Sequence, residues 1–373
     1  MRFPGFTDEW KTFSLGEKVI IKSGISPQCL CCDGNLPYYK VEQLNHCEKE
    51  LGETPYYGQT SANNIIPKGS IIFPKRGAAI MTNKVRVNAS ECILDTNLMA
   101  LIPDSTLYNH FLFYYVLNRE LGKIADTSTI PQINNVHINP LKIAIPIQFE
   151  EQRKIGNFLS LLDERIATQN KIIEDLKKLK SAIIDRLYSE VKGVICTYSE
   201  LFTVVTERNS KRIYNKVIAA SQEYGMVERE SLNLKVQFDE ESINTYKIIN
   251  SGDYVIHLRS FQGGFAFSRL QGICSPAYII LRPNNRVEYS YFENYFTSAK
   301  FINSLRLVTY GIRDGRSINV EEWLSMEVTL PSKEEQKRII RTIQSIQDKV
   351  SNEINILTSL HSQRLFLLRE LFI

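Results

Sequence analysis

The sequence predicts an α+β protein in which two similar mixed α/β domains are separated by two long, antiparallel coiled-coil helices. Two observations predict this fold class: apolar residues recur in alternating steps of four and three in two stretches, and the sequence around each stretch is repeated. Such steps give a helix one narrow apolar seam, which needs a helical partner. The predicted parts are a first domain, a central helix, a second domain and a C-terminal helix, at residues 1–147, 148–192, 193–332 and 333–373.

The apolar seams of the two helices are read directly from their spacing. The seam of the central helix is predicted at Ile155, Leu159, Leu162, Ile166, Ile173, Leu176, Ile183 and Leu187. The seam of the C-terminal helix is predicted at Ile339, Ile343, Ile346, Val350, Ile354, Leu357, Leu360, Leu367 and Leu371. Each helix is therefore expected to pack against the other.

The two halves of the chain form an internal repeat. An offset of 184 carries Glu150-Glu151-Gln152 onto Glu334-Glu335-Gln336 and Lys180 onto Arg364. Unrelated amphipathic helices, the alternative, would share a period but not this register and these flanks. Antiparallel packing of two similar helices predicts a pseudo-twofold axis. Each helix would span on the order of 60 Å, which is one to two turns of a DNA duplex, so the pair would act as a ruler if the two domains bind DNA.

The first domain is predicted to contain short strands and few helices. Residues Tyr108 to Leu121 are the best helix candidate, and Pro146 ends the domain just before the central helix. The strand candidates are Val19–Ile21, Ser70–Phe73, Asn97–Ile102 and Lys142–Ile147.

Composition limits the class of protein. A chain of 373 residues with 43% hydrophobic content is typical of two or three globular domains, and no apolar run is long enough to span a bilayer. The first ten residues lack the apolar core of a signal peptide. We therefore expect a cytoplasmic protein without a membrane partner.

Seven cysteines are expected to be reduced in that compartment. Cys29, Cys31, Cys32 and Cys47 lie close together, but adjacent cysteines fit a structural zinc site poorly, so buried or incidental thiols are favoured over a metal. The sequence contains neither a G-x-G-x-x-G nor an H-E-x-x-H motif, and its five histidines are scattered. No catalytic residue, bound cofactor or metal is predicted.

Charge argues against sequence-independent DNA binding by the chain alone. The net charge is +4, and each of the segments 1–149, 150–192, 193–333 and 334–373 has a net charge of +1. Proteins that hold DNA through phosphate charge alone are far more basic. Any DNA binding must be local or shared with a basic partner.

Polar side chains on glycine-bearing loops are the candidate DNA contacts. Arg, Lys, Gln, Asn, Ser, Thr and Tyr side chains hydrogen-bond base edges and phosphates, although a glycine with a polar neighbour can equally be a plain turn. The candidates in the first domain are Lys75, Arg76, Ser128, Thr129, Gln132 and Asn134. Those in the second domain are Arg259, Ser260, Gln262, Tyr310, Arg313 and Arg316.

The chain resembles the specificity subunits of type I restriction-modification systems. The resemblance covers the whole chain. It is carried by the opening at 3–10, the Ile-Pro and Glu-Glu-Gln-Arg-Lys-Ile residues at 145–155, their echo at 330–339, and the two-copy layout. It implies two target recognition domains, one for each half of an asymmetric, split site on double-stranded DNA. It also implies two methyltransferase (modification) subunits as partners, with restriction (motor and nuclease) subunits joining through them.

In that family, S-adenosylmethionine, ATP and Mg²⁺ are expected on the partner subunits only. Two alternatives remain open at this stage. The chain could be a methyltransferase or nuclease with degenerate motifs, which methyl transfer to DNA by the purified chain would indicate. It could also be a coiled-coil scaffold that binds only proteins, which binding to one split DNA sequence would exclude.

Overall fold

The computed structural model describes residues 3–27, 31–47, 49–221, 224–232, 240–257, 264–310 and 317–372. The chain divides into two compact units. Unit 1 contains residues 1–170 and 355–373, and unit 2 contains residues 171–354. Two long helices, α4 (Phe149–Ser189) and α8 (Lys333–Leu371), each contribute one part to unit 1 and the other part to unit 2. The predicted α+β class with two long helices is confirmed.

Unit 1 is built on a five-stranded sheet with the order β2-β9-β6-β7-β4, beside a three-stranded sheet β5-β3-β8 and a pair β1-β10. Its strands are β1 (Lys11–Ser14), β2 (Val19–Ser23), β3 (Cys31–Tyr39), β4 (Glu50–Leu51), β5 (Tyr57–Gln59), β6 (Ile71–Pro74), β7 (Arg86–Asn88), β8 (Ile93–Leu94), β9 (Leu98–Pro103) and β10 (Lys142–Ile145). Its shorter helices are α1 (Asn109–Arg119), α2 (Leu121–Ile124) and α3 (Asn135–Ile138), with 3-10 turns at Leu15–Glu17, Val41–Asn45, Ala62–Asn64 and Ala78–Thr82.

Unit 2 contains a four-stranded sheet with the order β12-β19-β16-β17, and the strand pairs β11-β22, β13-β14, β15-β18 and β20-β21. Its strands are β11 (Val194–Thr197), β12 (Phe202–Val205), β13 (Ile218–Ser221), β14 (Gly225–Glu228), β15 (Lys247–Ile249), β16 (Tyr254–Ile256), β17 (Phe265–Phe267), β18 (Gly272–Cys274), β19 (Ile279–Pro283), β20 (Thr309–Tyr310), β21 (Ser317–Ile318) and β22 (Glu327–Leu330). Its shorter helices are α5 (Tyr291–Tyr295), α6 (Ala299–Ser304) and α7 (Val320–Ser325), with 3-10 turns at Arg229–Leu232, Glu240–Thr245, Leu305–Leu307 and Tyr198–Glu200.

The two sheets repeat one topology, which confirms the duplication at the level of strand pairing. Ile71 lies opposite Val87 on one side and Leu101 on the other. In unit 2 Tyr254 lies between Phe267 and Leu281 in the same way. The sheet order β2-β9-β6-β7 therefore recurs as β12-β19-β16-β17.

The strand and helix candidates of the first domain are confirmed to within a few residues. The four predicted strands appear as β2, β6, β9 and β10, and the predicted helix appears as α1. α1 is buried along most of its length, because six consecutive residues from Phe111 to Val116 lie in the core. It packs between the sheet and the long helices, so its burial is not limited to one amphipathic face.

The long helices run antiparallel within each unit. In unit 1 the core contains Ile155 and Leu159 of α4 together with Leu368 and Leu371 of α8, and further along α4 Asp163 pairs with Arg364 at 2.5 Å. Residue numbers therefore rise along one helix as they fall along the other. Apolar residues at heptad spacing give this packing its narrow seam.

Unit 2 has the same arrangement. Ile184 and Tyr188 of α4 share a core with Ile339 and Ile343 of α8, and Lys180 donates to the Gln347 side chain at 2.6 Å. Lys180 and Arg364, matched by the sequence repeat, are thus both helix-to-helix hydrogen-bond donors, each within its own unit. Burial lowers the pKa of the Lys180 ammonium.

One predicted seam residue is wrong. Ile354 is 39% exposed, whereas Glu353 is only 7% exposed and pairs with Lys349. From Val350 the seam advances by three residues and then by four, to Glu353 and then to Leu357, so the inward position falls on the glutamate. Ile354, one position away, was assigned to the seam because it is apolar.

The repeated Glu-Glu-Gln motif lies at the N-terminus of each long helix, where acidic side chains interact favourably with the helix dipole, and its two glutamines are buried. Gln152 and Gln336 are 1% and 0% exposed. The Gln336 amide donates to the carbonyls of Arg286 and Pro331, at 3.1 and 3.0 Å, and its oxygen accepts from the Glu288 backbone at 2.8 Å. We call these two side chains the glutamine clamps, because each joins the start of a long helix to the backbone of its own unit.

The clamp in unit 1 has the same geometry. Gln152 donates to the carbonyls of Thr106 and Pro146 at 2.9 and 3.0 Å and accepts from the Tyr108 backbone at 2.9 Å. In unit 2, Ser332 and Glu335 have the spacing of a capping box, and the Ser332 hydroxyl accepts from the Glu335 backbone N–H at 3.3 Å. The Glu335 side chain instead pairs with Arg338.

We predict that Gln336→Ala lowers the unfolding free energy of unit 2 by about 2–4 kcal/mol, because each buried backbone group left without a partner costs about 1–3 kcal/mol. The measurement is denaturant unfolding followed by circular dichroism. The control is Gln344→Ala on the exposed side of the same helix, where the amide reaches only Asp348 and a change of about 0.5 kcal/mol or less is expected. Equal effects of the two variants would contradict the clamp.

Candidate nucleic-acid interface

The first candidate loop in unit 1 follows strand β6. Its backbone is fixed on both sides, since the Lys75 N–H donates to the Asn97 carbonyl and the Lys75 carbonyl accepts from Ile133, both at 2.8 Å. The Lys75 side chain is half-buried, and this burial lowers the pKa of its ammonium, with the adjacent Arg76 adding to the effect. The Arg76 side chain is exposed. The loop therefore presents a positioned arginine beside a partly covered lysine.

The second candidate loop is a narrow hairpin. Asp126 and Gln132 exchange both backbone hydrogen bonds, each 2.9 Å long, and the Ser128 N–H donates to the Asp126 carboxylate. Hydrogen bonds from the Ser128 backbone and side chain lower the pKa of the Asp126 carboxyl. Ser128 and Thr129 lie exposed at the tip.

The structure brings these two loops together. Arg76 pairs with Gln132 in an antiparallel bridge, and the Gly77 N–H donates to the Pro131 carbonyl at 2.8 Å. Gly77 has φ +88°, a conformation that glycine adopts without strain. The exposed Gln132 amide donates to Asn134 at 3.0 Å. We call residues 75–77 and 126–136 the unit 1 reading surface.

Asn134 also has a structural role on this surface. It is the N-cap of α3, and its backbone N–H donates to the His137 ring at 3.0 Å. A residue in this cap position is held at a fixed place relative to the hairpin. Asparagine is a preferred N-cap residue, so this role is consistent with the residue type, in addition to its prediction as a DNA contact.

In unit 2, Tyr310 is the one candidate among the described residues whose side chain the structure places. It begins the β20-β21 pairing opposite Ser317, and its ring is 55% exposed. Its hydroxyl donates to the Glu322 carboxylate at 2.7 Å, and this bond raises the pKa of the phenol. Arg259, Ser260, Gln262, Arg313 and Arg316 lie outside the described residues.

The two hairpins are equivalent parts of the repeat. The Asp126–Gln132 pair corresponds to the Tyr310–Ser317 pair, and in each case an asparagine two residues beyond the hairpin caps a short helix. The Asn319 side chain accepts from the Glu322 backbone N–H, whereas the Asn134 backbone N–H donates to the His137 ring, so both caps bond to the residue three positions further along. The scaffold is the same while the side chains that face solvent differ.

Two apolar residues of the unit 1 reading surface, Ile130 and Val136, are not among the residues that the sequence predicts as DNA contacts. Ile130 is 54% exposed and Val136 is 71% exposed. The sequence does show an apolar residue, Ile130, within a polar loop. A single apolar residue of this kind is common on protein surfaces, so it does not by itself indicate a binding site.

No cluster of side chains in the described residues suggests a bound metal. Within these residues, no group of three or more His, Cys, Asp or Glu side chains is placed to hold an ion. Cys29 lies outside them, and the described thiols of Cys92, Cys196 and Cys274 are buried. In the described ranges, no helix combines the length and the apolarity that a membrane crossing requires.

Comparison with known families agrees with the repeat. A family model described as the type I restriction modification DNA specificity domain matches twice, at residues 7–178 and 194–361. The putative type I restriction enzyme MjaX specificity subunit of Methanocaldococcus jannaschii is 21% identical over 378 residues, covering 92% of this chain and 88% of the relative. The MjaVIII specificity subunit of the same organism is 23% identical over 388 residues, covering 92% and 87%.

Solved structures share the fold. The S subunit of a type I restriction-modification system from M. genitalium superimposes with a TM-score of 0.53 at 16% identity, covering 100% of this chain and 99% of that one. A chain from work on complex assembly and conformational transition of the type I R-M system gives a TM-score of 0.64 at 14% identity, covering 98% and 97%. At these identities the likeness concerns the fold alone.

We predict that Gly77→Ala destabilises unit 1 by about 1–3 kcal/mol, because φ +88° with ψ −176° is strained for any residue with a Cβ. Thermal unfolding measures the effect. Gly52→Ala is the control, since a Cβ there would meet no atom within 4 Å and its φ is not positive. An unchanged melting temperature for Gly77→Ala would show that the loop adapts without cost.

Proposed function

The chain belongs to the family of type I restriction-modification DNA specificity proteins, and from this membership we propose that it selects an asymmetric, bipartite sequence on double-stranded DNA. Each of its two target recognition domains reads one half-site. The chain supplies recognition, while methyl transfer and cleavage belong to other subunits of the complex. S-adenosylmethionine, ATP and Mg²⁺ are accordingly assigned to those subunits.

The observation that supports this proposal is the contrast between a repeated scaffold and unlike exposed side chains. Both units use the same order of four strands, the same glutamine clamp and the same capped helix after the hairpin. Base edges in the major groove are distinguished by the identity of the contacting side chains. Identical surfaces would select a palindrome, whereas unlike surfaces select two different half-sites.

The proposed protein partners are two modification subunits, with restriction subunits joining through them. Support comes from the apolar side chains that the long helices expose. In unit 1 these are Phe158, Leu161, Leu365 and Phe366, which are 40–63% exposed. Exposed apolar residues on neighbouring helices are typical of a surface that another protein covers. A partner would also add the positive charge that a chain of net charge +4 lacks for phosphate binding.

The proposal is tested by expressing the chain with the modification subunits of its own system and sequencing the methylated positions of the host genome. One split, asymmetric motif is expected, and it should disappear when this chain is omitted. Methyl transfer by the purified chain alone would instead show an enzyme. A methylation pattern that is the same with and without this chain would favour the protein-binding scaffold instead.

We predict that Arg76→Ala weakens binding through one half-site only, by about 1–3 kcal/mol for a lost bidentate contact to guanine. The measurement is the affinity of the assembled complex for duplexes altered in one half-site at a time. The matched control is Arg165→Ala, an exposed arginine on α4 far along the chain from the reading surface, and it should leave discrimination unchanged. An equal loss on every sequence would identify Arg76 as a phosphate contact.

A further inference from the structure

Two apolar side chains stand out on the unit 1 reading surface. Val136 is 71% exposed and Ile130 is 54% exposed, while Ser128, Thr129, Gln132 and Asn134 around them in the chain are exposed polar residues. An exposed valine adds nothing to the core of the unit. Its exposed position in the chain between candidate base-reading groups makes it available to a bound ligand.

The backbone that carries Val136 is held in place from three directions. Asn134 caps α3 through its backbone bond to His137, and Ile138 at the end of the same turn is 1% exposed and lies in the core. The hairpin before it is tied to Arg76 and Gly77. Val136 is therefore presented outward from a rigid base, which limits the entropy lost when it contacts a ligand.

The repeat shows that the scaffold does not require an apolar residue here. Asn319 takes the cap position of Asn134, and the fully buried Trp323 takes the place of Ile138. Between them the position of Val136 is occupied by Glu321, which is also exposed. The cap residue is an asparagine in both units, and the buried residue is apolar in both. The exposed residue between them changes from valine in unit 1 to glutamate in unit 2, as expected of a position that sets specificity.

Only one group in the major groove of DNA favours an apolar side chain. Each base pair presents hydrogen-bond donors and acceptors there, and the A·T pair adds the 5-methyl group of thymine. We propose that Val136, supported by Ile130 on the hairpin tip, contacts the 5-methyl group of a thymine in the half-site read by unit 1. Arg76 and Gln132 take the polar edges of the neighbouring bases. This inference rests on the proposed DNA-binding function and names what one part of that surface reads.

The test uses the full chain in complex with its modification subunits and a duplex that carries the methylated motif. Each thymine of both half-sites is replaced singly by deoxyuridine, which lacks only the 5-methyl group. For the wild-type complex we expect about a fourfold loss of affinity at one or two positions, all in one half-site, which is the value of one buried methyl group. Val136→Ala should bind the thymine and deoxyuridine duplexes equally well at that position.

Ile20→Ala is the matched control. Ile20 is an exposed apolar residue of the same unit, at 64%, and lies on β2 away from the reading surface. Its variant should keep the full difference between thymine and deoxyuridine. Val136→Ala is expected to fold normally, since the side chain is mostly exposed and alanine favours a helix.

Several outcomes would overturn the inference while leaving DNA recognition intact. The first is wild-type binding that tolerates deoxyuridine at every position. The second is a Val136→Ala complex that keeps the full preference for thymine. A third is a recognised half-site made only of G·C pairs on the side weakened by Arg76→Ala. Loss of all sequence-specific binding by the wild-type complex would instead refute the proposed function itself.

Discussion

The buried glutamine at the start of each long helix is the contact on which the rest of each unit depends. A side-chain amide has two donors and one acceptor oxygen, and Gln152 and Gln336 use them on three backbone groups of their own unit. Buried backbone groups outside the helices and strands need hydrogen-bond partners of this kind. The clamp therefore satisfies polar groups in the core and at the same time sets the direction in which the helix leaves the sheet domain.

Along the seam, polar pairs select one register from several that apolar residues would allow. Asp163 bonds to both Arg364 and the Tyr114 hydroxyl in unit 1, and Lys180 bonds to Gln347 in unit 2. The offset of 184 relates Asp163 to Gln347 and Lys180 to Arg364, so both units use one ancestral pair in different chemical forms. Sliding one helix by a turn would set a half-buried charge against apolar neighbours, which costs several kcal/mol. The apolar seam supplies stability, and the polar pair supplies uniqueness.

What the sequence could predict follows from which interactions are local. Heptad spacing and the strands of the first domain depend on neighbouring residues, and the repeat offset is found by comparing the sequence with itself. These predictions are confirmed, except at Ile354. The error at Ile354 arose because the seam was assigned from apolar residues alone. Such an assignment passes over Glu353, which is buried and pairs with Lys349. The buried role of Gln152 depends on carbonyls near residue 106 and on Pro146, and no spacing rule indicates it.

The candidate interface shows the same limit. Arg76 and Gln132 were each selected by residue type, but their meeting depends on a strand pairing between loops 56 positions apart. Nothing in either loop alone indicates that partner. Tyr310 was likewise selected as a free polar group, whereas its hydroxyl is engaged by Glu322, which lies twelve residues further along.

Different residues stabilise the fold and form the exposed surface, which explains how one scaffold can carry two different reading surfaces. Both units have a cap asparagine, an apolar core residue in the short helix and a clamp glutamine at these positions, because these residues are buried or bond to the local scaffold. The residues between them face water and contribute little to folding, since exposed substitutions usually change stability by about 0.5 kcal/mol or less. Side chains such as those at 136 and 321 can then diverge under selection for different bases without a cost to the fold. Specificity is free to change where stability does not depend on it.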